Sequence, residues 1–272
     1  MEPYSNRTAL PGPHAGFLRS ALDQLRQDSR IVGVAAGGSY LRESMDEFSD
    51  LDLVIAIEPA AYEDVLNERS EIAASIGPLL AAFTGEHVGE PRLLICLYGP
   101  PLLHVDLKFI SLADAADRVE EPAVLWERDG RFSAALRARS ARYPEPDLQW
   151  IEDRFWIWIH YCAAKIGRGE LFEAIGFLAY LRAEVLGPLS LVLSGQRPAG
   201  VRKLEVASPN LARQMEATVG GYDAGACVGA LRVAAQMYRE LRASLASKEL
   251  RMNARAEEAA MGYLAAIEAR SV

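Results

Sequence analysis

The chain is poor in cysteine: Cys96, Cys162 and Cys227 are three in 272 residues, far apart and without metal-ligand spacing. That pattern excludes a disulfide framework and a thiolate metal site, and the three read as reduced, buried thiols. Positive charge is also scarce, with 29 Lys and Arg against 37 Asp and Glu, a net charge of -8. Proteins that bind nucleic acid broadly displace counterions with a basic surface, so no nucleic-acid partner is expected. No charge-free apolar run reaches the roughly 18 residues a membrane span needs. The first residues lack a basic segment followed by an apolar stretch, so a cytoplasmic protein without a membrane partner is expected. Low-complexity tracts and internal repeats are absent as well. What remains is ordinary globular material, 50% hydrophobic and long enough for a sizeable core in one or two domains.

Against that background one stretch stands out. Ile31 to Ala36 is an apolar run of strand length that ends in Gly37 and Gly38, where the backbone can turn sharply and approach a ligand closely. Ser39 opens a segment of good helix formers through Asp46 and is a favoured helix-capping residue. Free amides at such a turn attract anions, which makes Gly38 and Ser39 candidates to hold part of a triphosphate. Arg42 follows one turn later, where it could balance phosphate charge or pair with Asp46 on the surface.

The run Asp50 to Ile57 reads as a buried strand whose polar residues, Asp50 and Asp52, stand two positions apart and so share a face. Adjacent carboxylates repel unless a cation lies between them or one is protonated. Mg²⁺ is a hard cation that takes oxygen ligands and commonly binds one or two carboxylates together with substrate phosphates. A later strand-like run, Leu102 to Ile110, places Asp106 on a face with His104 and Lys108. Beside the Asp50/Asp52 strand it would complete a three-carboxylate site for one or two ions. His104 could support Asp106 or be structural, and Glu86 and Glu90, in the loop expected before the Arg92 strand, are candidate bases.

Gly37-Gly38-Ser39, ten intervening residues, Asp50-Leu51-Asp52 and the later Asp106 resemble the active-site signature of the DNA polymerase beta-like nucleotidyltransferase superfamily. The resemblance implies that Asp50, Asp52 and Asp106 are catalytic metal ligands, that two Mg²⁺ ions and ATP are used, and that Gly38 and Ser39 grip phosphates.

The rest of the chain has two characters. A helix from Phe17, the Ile31 and Asp50 strands, a helix over residues 60–76, a hairpin of residues 92–98 and 102–110, an edge strand at 123–127 and a helix over 131–142 describe a mixed sheet flanked by helices. Tyr143-Pro-Glu-Pro-Asp147 reads as a linker. Beyond it apolar residues recur at helical spacing over 148–168, 171–186, 209–219, 224–245 and a last helix through Ala266, the pattern of a bundle. The expected fold is therefore α+β, with a catalytic nucleotidyltransferase domain over residues 1–145 and a helical acceptor-binding domain over 146–272.

The first bundle helix, from Asp153 through Phe155-Trp156, Tyr161, Ala164-Lys165 and Arg168-Gly169-Glu170, resembles the corresponding helix of bacterial aminoglycoside nucleotidyltransferases of the streptomycin 6-adenylyltransferase type. Lysine is a usual phosphate ligand, so Lys165 either reaches triphosphate oxygens across a cleft between domains or is an ordinary surface lysine. Trp156 is a candidate acceptor contact, while Glu152, Glu173 and Glu184 could recognise amino groups. The resemblance implies transfer of AMP from ATP to a hydroxyl of a small, aminoglycoside-like antibiotic. Modification of a protein, as in antitoxin-type members of the superfamily, and a non-catalytic nucleotide-binding regulator are the alternatives.

Overall fold

Apolar and alternating runs become the central strands of a six-stranded sheet. In the computed structural model, which describes residues 10–42 and 45–271, these are β1 (Ile31–Ala36), β2 (Leu51–Ile57), β3 (Leu79–Gly85), β4 (Glu90–Tyr98), β5 (Leu103–Ser111) and β6 (Ala123–Glu127). The strand order is β3-β4-β5-β2-β1-β6. Only β2 and β5 run parallel, and their register sets Asp52 directly beside Asp106.

Strand alternation divides the sheet into two faces. Leu51, Leu53, Ile55 and Ile57 of β2 join Val105, Leu107 and Phe109 of β5 in the larger core. Leu18, Leu22 and Leu25 of α1 (Gly12–Leu25), Val65 of α2 (Tyr62–Asn67) and Ala73 of α3 (Arg69–Ser75) complete it. Fully burying each Leu or Ile stabilises by roughly 1.5–3 kcal/mol, so this face fixes the register. The opposite face is covered further along the strands by Phe132 and Leu136 of α4 (Arg131–Leu136), against Ala35, Ala56 and Ile110. Asp52 and Asp106 lie on this second face, nearer the start of both strands.

The chain divides into two compact units, Met1–Arg142 and Tyr143–Val272. The second is helical: α5 (Leu148–Gly167), α6 (Leu171–Leu181), α7 (Gly187–Leu193), α8 (Leu204–Ala207), α9 (Pro209–Glu216), α10 (Ala224–Leu245) and α11 (Ala254–Ser271). Phe155, Trp156, Ile159 and Cys162 of α5 pack with Leu231, Ala234 and Tyr238 of α10 at its centre. Phe155 stacks on Tyr238 with ring centroids 3.8 Å apart.

Several expected elements differ. The helix over Ser39 to Asp46 is instead a 3-10 turn, Gly38–Arg42, with Glu43 and Ser44 outside the described residues. The N-terminal helix begins at Gly12 rather than Phe17, because Pro11 and Pro13 suit a helix start, where amides need no partner. His14 is buried there, its Nε2 2.7 Å from the Ser49 carbonyl oxygen. Strand β3 lies between Pro78 and Glu86, where the sequence pattern marks no strand. Helix α6 does not stop at Gly187-Pro188 but passes through a π-turn, Arg182–Leu186, into α7. The wider turn accommodates a proline that has no amide to donate. Among the described residues this stretch, Leu171–Leu193, is the one helix long and apolar enough to cross a membrane, and half of its apolar window is buried.

Candidate active site

The site is built where β1 turns back toward β2. Gly37 donates its amide to the Asp52 carbonyl at 2.9 Å, which ties the glycine turn to the strand carrying the carboxylates. Gly38 has φ +57°, and a Cβ there would fall 1.9 Å from Asp52 Oδ2. Any other residue would both strain the backbone and displace that carboxylate. Ser39 does not cap a helix: its Oγ is buried and makes no hydrogen bond.

Asp50 immediately precedes β2, Asp52 lies one residue inside it, and Asp106 lies beside Asp52 on β5. One carboxylate oxygen from each falls within 4.8 Å of the others. An octahedral Mg²⁺ with bonds of about 2.1 Å holds its ligand oxygens about 3 to 4.2 Å apart, so a small closing movement would seat all three. The donor set is entirely carboxylate oxygen, which favours a hard divalent cation over zinc or copper. His104 Nε2 lies 3.0 Å from Asp106 Oδ1, as the alternation of β5 requires.

A fourth carboxylate was not anticipated. Glu120, in the loop before β6, accepts the Gly38 amide hydrogen at 3.0 Å. Its Oε1 lies so close to Gly37 that a Cβ on that glycine would stand 2.7 Å away. The contact joins residues 82 positions apart, and neither spacing nor strand pattern marks Glu120 in advance.

Residues 18–84 match the family model described as a nucleotidyltransferase domain. This part of the chain is similar to nucleotidyltransferase domains. The match spans the glycine turn, Asp50 and Asp52, while Asp106 enters through its register with β2. Among solved structures, an aminoglycoside 6-adenyltransferase from Bacillus subtilis is similar at 16% identity and TM-score 0.41, covering 92% of this chain and 97% of that one. A nucleotidyltransferase-like protein from Exiguobacterium sibiricum 255-15 is similar at 14% identity and TM-score 0.40, with 85% and 76% covered. No curated protein matches this chain.

The remaining candidates scatter. Arg42 ends the turn that begins at Gly38 and is exposed, with no ion pair among the described residues. Glu90 is not in a loop but opens β4, where it accepts from Arg92 and pairs with Lys108 at 2.7 Å. Arg92 first, and then Lys108, hold its carboxyl down to about 2 against the opposing effect of burial, which leaves it a poor base. Glu86 is exposed and hydrogen-bonded to Thr84.

In the helical unit Lys165 donates to Glu170 at 2.5 Å and lies 5.3 Å from the Tyr161 ring centre. Trp156 is buried, 2% exposed, so the candidate acceptor contact is core packing. Glu152, also offered as an acceptor contact, is 1% exposed and accepts from Tyr238, Arg242, Trp156 and the Asn253 amide. Glu173 and Glu184 are exposed.

Proposed function

We propose that the protein transfers AMP from ATP to a hydroxyl of a small acceptor and releases pyrophosphate. The observation that carries this reading is the convergence of Asp50, Asp52 and Asp106 behind the Gly37-Gly38 turn, within and beside the nucleotidyltransferase domain. In it, the three aspartates hold Mg²⁺, with two ions bound during turnover. Magnesium supplies Lewis-acid stabilisation of the charge that builds on the transferring phosphoryl group.

The chain's own groups do the rest. Gly38 and Ser39 receive phosphate oxygens, and the buried Ser39 hydroxyl, otherwise without a partner, is available to donate to one. Arg42 offsets part of the triphosphate charge, while Lys165 of the helical unit is paired with Glu170. Asp106 has a second role open to it, drawing the acceptor proton with His104 adjacent.

An aminoglycoside-like acceptor is the substrate suggested by the α5 resemblance. Its support is narrower than that for nucleotidyl transfer, because Phe155 and Trp156 of that motif are core residues. The test is an acceptor screen monitored by pyrophosphate release with ATP and Mg²⁺, using Asp50→Ala as control. Release that depends on a hydroxylated small molecule and vanishes in Asp50→Ala supports the reading. Label from ATP appearing on a polypeptide would instead indicate protein modification, and ATP binding without turnover a regulator. Release that survives Asp50→Ala would sink the metal assignment.

A further inference from the structure

The Gly38 amide already has an anionic partner. Glu120 accepts its hydrogen at 3.0 Å, on the backbone group that the proposed mechanism assigns to a phosphate oxygen. One N–H cannot serve two anions well, and a carboxylate beside a triphosphate adds repulsion. We propose that Glu120 is an internal competitor of the nucleotide: it occupies the phosphate seat while no triphosphate is bound and swings away when one arrives. The proposal rests on the nucleotidyl-transfer reading of this site.

The loop that carries Glu120 is fixed on both sides of it. Glu120 lies outside the strand ladders, between the 3-10 turn Leu112–Asp114 and β6. Its neighbours are anchored: Glu121 accepts from the Ala141 amide at 2.8 Å and pairs with Arg118, and the Arg118 carbonyl receives the Arg142 amide at 3.0 Å. With Arg118 held through its carbonyl and Glu121 through its side chain, the proposed displacement is a rotation of the Glu120 side chain away from Gly38. Retaining the carboxylate has a thermodynamic consequence. Only the fraction of molecules with Glu120 displaced binds nucleotide, so apparent affinity is reduced by that fraction.

The experiment compares the full-length protein with Glu120→Gln and Glu120→Ala. MgATP affinity is measured by calorimetry, and the Gly38 amide is followed by ¹⁵N NMR. Glu120→Ala is expected to bind MgATP about ten-fold tighter. Glu120→Gln, which keeps a neutral acceptor, should gain less. In the nucleotide-free protein the Gly38 proton should move upfield on Glu120→Ala as its hydrogen bond is lost. The amide spectrum also establishes that each variant folds. Unchanged or weaker affinity in both variants, with wild type binding normally, overturns the competitor role alone. So does a collapse of turnover at unchanged affinity, which would place Glu120 among the groups acting on the reacting phosphate. A wild-type protein that binds no MgATP overturns the nucleotidyl-transfer reading, and the competitor role with it.

Discussion

Glu152 in the helical unit and the aspartate triad on the sheet both draw carboxylates away from bulk water, and they do so in opposite ways. Glu152 is sealed at 1% exposure and receives Tyr238 at 2.6 Å, Arg242 at 2.9 and 3.0 Å, and the Asn253 amide at 3.1 Å. A neighbouring cation neutralises its charge. Asp50, Asp52 and Asp106 are half-buried and brought within 4.8 Å of one another. The first arrangement matches a buried carboxylate with donors and a cation, and the second sets three carboxylates side by side, where their mutual repulsion favours a cation among them. In the nucleotidyl-transfer reading, a bound cation would offset that repulsion.

The sharpest way to break this comparison is to neutralise one member of each group. Asp52→Asn should lower turnover by about 10³-fold or more, since an isosteric amide still fills the space but no longer supplies a charged ligand. It should cost little stability, because the isosteric amide keeps the packing of β2. Kinetics beside a thermal melt checks both. A large loss of stability would mean that the triad is structural.

Arg242→Met should behave the other way round. It removes the cation from the sealed carboxylate and should destabilise the helical unit by about 3–5 kcal/mol, the usual result of stranding a buried charge. Adding Glu152→Leu to it should recover much of that loss, because well-packed apolar groups often replace a buried pair at little cost. Chemical denaturation followed by tryptophan fluorescence reads this directly, since Trp150, Trp156 and Trp158 all lie in α5. A double variant no more stable than Arg242→Met would show that the network acts through more than charge.

Acid should separate the arrangements next. Burial pushes the Glu152 carboxyl up, but the bonds from Tyr238, Asn253 and Arg242 outweigh it and hold the group below its ordinary range. A carboxyl lower in the folded than in the unfolded chain stabilises at neutral pH, and that stability is lost as pH falls. The loss should begin below about pH 4.3, the usual glutamate value. Glu90 extends the same dependence in the sheet unit toward about 2. Glu152→Gln should flatten the acid limb reported by α5 fluorescence while leaving the Glu90 part in place. A wild-type limb that Glu152→Gln does not alter would assign acid sensitivity elsewhere.

The same contrast explains what could be read from the chain in advance. β1 and β2 are legible as apolar runs that meet Gly37 and Asp50, and β5 by its strict alternation, which sets Asp106 between apolar neighbours that point to the opposite face. β3 is not. As an edge strand it leaves Leu80 and Phe83 more than half exposed, so no burial-driven alternation marks it. Gly187-Pro188 signals a stop, yet the π-turn carries the helix through it. Glu152 looks like any surface glutamate until α10 brings Arg242 from 90 positions away. Glu120 is hidden for the same reason, since its meaning depends on a loop meeting Gly38. Local pattern carries the strands and the triad; partners distant in sequence carry the rest.

Ser39 offers the smallest and most discriminating test, because its two expected effects have opposite signs. Its hydroxyl is buried without a hydrogen bond, and a buried polar group in that state costs roughly 1–3 kcal/mol when fully sealed. The residue as a whole is only half-buried, so Ser39→Ala should raise stability by about 0.5 kcal/mol. If the hydroxyl is retained for phosphate, the same change should weaken MgATP binding by roughly 3- to 10-fold, the worth of one hydrogen bond of about 1 kcal/mol. A paired melt and calorimetric titration reads both. Greater stability with unchanged nucleotide affinity would remove Ser39 from the phosphate site while leaving the aspartates in it. Lower stability would mean that the hydroxyl is held for the fold after all, as Glu152 is.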